Sequence, residues 1–120
     1  MKRPRPFAKR FYQILRRIRE HASPDIPVSV KTVSAGELKR HHGCDVWGDA
    51  RIGDGKATIR INRKQSTDSA IDTLIHEWAH VIDQSANPNI RDLHRDSWGV
   101  AYASVYRAAE KETAAELERR

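Results

Sequence analysis

Leu74-Ile75-His76-Glu77-Trp78-Ala79-His80-Val81-Ile82-Asp83 sets two histidines four residues apart, with a glutamate directly after the first. Ile71, Leu74, Ile75, Trp78 and Ile82 follow the i, i+3, i+4, i+7, i+11 spacing of an amphipathic helix, which leaves His76, Glu77, His80 and Asp83 off the apolar stripe. One turn of such a helix separates the histidines by about 6 Å along its axis, so both imidazoles can reach one metal ion while Glu77 stands beside it. This is the ligand and base arrangement of a zinc hydrolase. A solvated polar face has the same helical wheel, so the assignment depends on a third ligand.

The chain has 120 residues, which predicts one domain over 1–120 that buries roughly two thirds of its unfolded surface. Its single cysteine, Cys44, excludes an internal disulfide and a four-cysteine zinc ribbon, leaving His and carboxylates to build any metal site. The basic start, Met1-Lys2-Arg3-Pro4-Arg5-Pro6, has no apolar run after it, so the expectation is a cytoplasmic monomer with neither secretory signal nor membrane span. Charge is uneven: residues 1–60 hold 14 Lys/Arg against 6 Asp/Glu, while residues 61–120 hold 8 against 10. Two readings of the basic half stand side by side, an anionic partner such as DNA and a solvated surface.

Phe7, Phe11, Ile14, Leu15 and Ile18 form one stripe of a predicted helix over 7–21, ended by Ser23-Pro24-Asp25-Ile26-Pro27. Val28–Val33 reads as a strand, and residues 46–52 and 57–62 read as a hairpin around Gly53-Asp54-Gly55-Lys56, giving a small three-stranded sheet. His41-His42-Gly43-Cys44-Asp45 reads as a polar connecting loop. Ser66-Thr67-Asp68-Ser69 supplies the N-cap of the central helix, and Ala86-Asn87-Pro88 ends it. Trp98, Ala101, Tyr102, Val105 and Ala109 mark a last helix from about residue 95, followed by a charged tail expected to fray.

The third donor must come from beyond the motif helix. Asp83 and Ala86 stand where one class of such enzymes has Gly and His, and Gly99 and Val100 stand where another has Glu. His94 and Glu110 remain, and His94 is the better placed. It follows His80 by 14 residues, room for the helix to end and a loop to return, and Trp98 lies one turn later to anchor it.

In order and spacing of these elements, from the His76-Glu77-x-x-His80 helix to Leu93-His94-Arg95-Asp96-Ser97-Trp98, the chain resembles the SprT-like zinc metalloproteases, the group of the Spartan-type DNA–protein crosslink proteases. The resemblance covers residues 7–110 in layout and 76–106 in motif. It implies an α+β, zincin-like fold: N-terminal helix, small sheet, motif helix, C-terminal helix. It also implies Zn2+ on His76, His80 and His94, Glu77 as general base, and a zinc metalloendopeptidase acting on proteins, including DNA-associated ones. The family often adds a cysteine zinc ribbon, and with Cys44 alone the expectation departs from it to a minimal, stand-alone form. Asp83 is a candidate for orienting a ligand imidazole or an exposed aspartate, and Tyr102 and Tyr106 are candidates for oxyanion support or for the core. Arg10, Arg16, Arg17 and Arg19 are the candidate DNA contacts. The competing class is a small basic nucleic-acid-binding protein with a structural or degenerate zinc site.

Overall fold

A computed structural model describes residues 5–87 and 96–119. Among these the chain runs α1 (Lys9–His21), β1 (Val28–Val33), α2 (Ala35–His42), β2 (Gly48–Gly53), β3 (Lys56–Asn62), α3 (Thr67–Ala86), α4 (Asp96–Glu110) and α5 (Ala114–Glu118). The class is α+β, with one small mixed sheet.

The hairpin organises the sheet. Asp54 (φ 55°) and Gly55 (φ 72°) both take the left-handed conformation that a two-residue type I′ turn requires. That turn sets the antiparallel register, Gly53 opposite Lys56 and, further along, Asp49 opposite Arg60. β1 adds to the other side of β3 in parallel, with Val28 beside Ala57 and Val30 beside Ile59. The order is β1-β3-β2, so β3 is central and its Ala57, Ile59 and Ile61 are buried.

α3 packs on the sheet and also on α1 and α4. Ser66 caps it, its side chain accepting from the Ser69 N–H at 3.1 Å. Phe11 and Ile18 of α1, Leu38 of α2, Leu74, Trp78 and Val81 of α3, Val105 of α4 and Ile59 and Ile61 of β3 are the largest side chains withdrawn from water. Each contributes about 1.5–3 kcal/mol by burial. The Trp78 indole N–H, buried with its ring, donates to the Ala22 carbonyl at 2.8 Å, which satisfies its polar atom and ties the end of α1 to α3.

Two helices depart from expectation. Residues 35–42 form α2, which takes His41 and His42 out of the expected connecting loop and leaves only 43–45 of it outside any element: the Ser34 side chain accepts from the Glu37 N–H at 3.2 Å, Gly43 closes the helix at φ 72°, and Leu38 is fully buried. The tail does not fray at Thr113. Thr113 and Glu116 form a reciprocal capping box, and Arg17 holds the Glu116 carboxylate with Nη2 at 2.7 Å and Nε at 3.1 Å. No described helix is long and apolar enough to cross a membrane.

Candidate metal centre

The helical spacing acts as expected within α3. His76, Glu77 and His80 each offer a ligand atom, and these atoms lie within 4.8 Å of one another. The two histidine Nε2 atoms are 3.1 Å apart. Two nitrogens bound at 2.0–2.1 Å to a tetrahedral ion are separated by about 3.3 Å, so the imidazoles are posed for one such ion. The donor set of nitrogen and carboxylate oxygen also suits zinc.

The face that carries them is not a solvated one. Glu77 is 8% exposed, His80 7% and Asp83 3%. A second helix covers part of this face: Trp98 of α4 lies against both imidazoles, its centroid 5.1 Å from His76 and 5.4 Å from His80. α3 is therefore covered on two sides, by the core on its apolar stripe and by α4 over part of its polar one. Asp83 is accordingly buried, which overturns its reading as an exposed aspartate; its carboxylate and carbonyl accept from the Asn87 side-chain amide at 3.4 and 3.2 Å.

Burial pushes the Glu77 carboxyl up to about 7, and the nearby Asp49 charge adds to the shift. A carboxyl so poised can both take and return a proton near neutral pH. Asp49 belongs to a network that spacing alone did not disclose. It accepts from Arg60 Nε at 2.8 Å and pairs with His42 Nε2 at 2.8 Å, while Arg60 Nη1 lies 2.6 Å from His41 Nδ1. Burial works to raise the Asp49 pKa, but the hydrogen bonds from Arg60 and His42 outweigh it and hold the carboxyl below its ordinary value. The available signal was the hairpin register, since a two-residue turn at 54–55 puts 49 across from 60.

The other anticipated residues are distributed as follows. His94 lies outside the described residues. Glu110 is exposed and opens onto a separate groove beside Ile14, Arg17 and Tyr106. Tyr102 stacks on Trp98 at 5.2 Å and Tyr106 follows Tyr102 at 6.4 Å. Successive turns of α4 thus carry the aromatics away from the histidines, and Tyr106 faces that separate groove rather than the cluster. Arg10 pairs with Asp68. Arg17 binds Glu116 and the Ala109 carbonyl, and Arg19 donates to the Val28 carbonyl at 2.9 Å with its guanidinium over Trp78. Arg16 is exposed.

A cleft of about 370 Å³ opens beside the cluster, bounded by Trp47, Gly48, Asp72, Thr73, His76 and Glu77 among others. No family model, curated protein or solved structure matches the chain.

Proposed function

We propose that the protein is a zinc-dependent endopeptidase of the SprT-like, zincin type. The observation that carries the reading is the convergence of His76, Glu77 and His80 at metal-ligand distances beside an open cleft. His76 and His80 would hold the ion through Nε2, and by the resemblance His94 would complete the set. A zinc ion held there supplies Lewis acidity to a peptide carbonyl and to water. Glu77, withdrawn from water beside the histidines, would take the proton of the attacking water and return it to the leaving amine. Trp98 restricts both imidazoles by packing on them.

Of the two edge strands, β1 and β2, the one beside the cluster is β2. It lies at one side of the sheet, and its first residue, Gly48, sits against Thr73 of α3, one helical turn before His76 and Glu77. A Cβ at Gly48 would come within 2.6 Å of Thr73 Cγ2 and of the Arg60 carbonyl oxygen, so the close approach needs glycine. A peptide laid along β2 by main-chain hydrogen bonds passes the Glu77 carboxyl.

The test is metal analysis of the purified chain together with cleavage of an unfolded protein, with and without chelator and with and without added DNA. Stoichiometric zinc and cleavage abolished by chelation are expected. Zinc-loaded protein that cuts nothing, yet binds DNA unaltered by Glu77→Gln, would favour the binding-module reading.

A further inference from the structure

Trp47 is 57% exposed, in a chain that buries Trp78 almost completely. A large apolar ring left in water is informative when its backbone is held, because a rigid exposed indole is a ready anchor for a partner side chain. Trp47 is held in this way. Its carbonyl accepts from the Asn62 N–H at 2.8 Å and from Gln65 Nε2 at 2.9 Å. Gln65 is buried, and its Oε1 accepts from the Ser69 and Thr73 hydroxyls of α3 at 2.6 and 3.0 Å. Thr73 precedes Glu77 by one turn. The Trp47 backbone is thereby pinned through a single side chain to the stretch of helix that leads into His76 and Glu77, and Gly48 closes the same joint by direct contact with Thr73.

Trp47 borders two depressions. One is the cleft lined by His76 and Glu77; the other is a groove of about 530 Å³ lined also by Ala35, Asp45, Val46, Asn62 and Lys64. We infer that Trp47 is a specificity-determining residue, the wall against which a bulky apolar side chain of the substrate packs next to the bond being cut. The inference rests on the peptidase reading for the purpose of the cleft. Its physical content is narrower: an apolar chain segment crossing the Trp47 ridge buries the indole face, and a segment of Gly or Ser residues does not. The expected preference is for Leu, Phe or Tyr over Gly beside the cut, about ten- to hundredfold in kcat/KM, the usual discrimination of an apolar contact.

The experiment uses the zinc-loaded full chain and its Trp47→Ala and Trp47→Phe variants on a randomised peptide mixture, with new termini read by mass spectrometry. Trp47→Ala should lose the apolar preference, with the loss carried by KM, and Trp47→Phe should retain most of it. Zinc content and melting temperature should stay near wild type, since the anchoring bonds are made by backbone atoms. An unchanged preference in Trp47→Ala overturns the inference. A second arm is independent of turnover: binding of a dye-labelled, Phe-rich peptide to Glu77→Gln, expected about tenfold weaker when Trp47→Ala is added. Trp47-dependent peptide binding without any cleavage by wild type would sink the peptidase reading and leave the docking role standing. Absence of peptide binding, with Trp47-dependent binding of a single-stranded oligonucleotide instead, would overturn the docking role and assign the indole to base stacking.

Discussion

The Nε2 atoms of His76 and His80 lie 3.1 Å apart, under the ring of a tryptophan from another helix. If this spacing serves a metal ion, His76→Ala and His80→Ala each remove most bound zinc. His94→Ala does the same, while Glu110→Ala, at an exposed position on a separate groove, leaves zinc in place. Elemental analysis of the four proteins decides; zinc lost from Glu110→Ala and kept in His94→Ala would move the site to the glutamate-ligand class.

Glu77→Gln should keep zinc and fold and lose about two to four orders of magnitude in peptide cleavage, the usual contribution of a general base. The measurement is single-turnover cleavage with zinc content quantified in parallel. Cleavage at the wild-type rate would assign the chemistry to another group.

Asp49 and Arg60 form a buried ion pair under α2, closed by His42 and His41. Removing Arg60 leaves the buried Asp49 carboxylate with only the His42 imidazole beside it, so Arg60→Met should cost up to about 3–5 kcal/mol in urea unfolding. The double variant Asp49→Leu/Arg60→Met, with no stranded charge, should recover a good part of that loss. Equal or greater damage in the double variant would show that the network's hydrogen bonds, not the unpaired charge, dominate.

Glu116 is held at about 2 by its hydrogen bond with Arg17, aided by the Thr113 N–H. Its folded pKa lies below its unfolded one, so its contribution is complete above about pH 4.5 and is lost as the pH falls towards 2. Melting temperature followed from pH 6 down to pH 2 should therefore drop less in Arg17→Met than in wild type. Parallel curves for the two proteins would show that α5 docks without help from this pair.

What the local pattern determined was what each segment does about its own axis. The stripe from Phe11 to Ile18, the period of β3, the Asp54-Gly55 turn and the His76-Glu77-x-x-His80 spacing on α3 were all legible, because periodicities of 3.6 and 2 are properties of a short stretch, although α1 starts at Lys9 and leaves Phe7 ahead of it. Even the pairing of Asp49 with Arg60 follows once the turn is placed. α2 was missed because one buried leucine makes no stripe, although Ser34, Glu37 and Gly43 carried its caps. α5 was missed for a related reason: its stabilising partner, Arg17, lies 99 residues from Glu116.

Only the tertiary structure decided what covers the polar side of α3. A helical wheel states which residues share a face and is silent on what approaches it. Packing of α4 puts Trp98 on the two imidazoles, and the packed fold takes Glu77, His80 and Asp83 out of water. Desolvation of that carboxyl, which turns an ordinary glutamate into one titrating near neutrality, is a consequence of three-dimensional packing and of the Asp49 charge brought up from a distant strand.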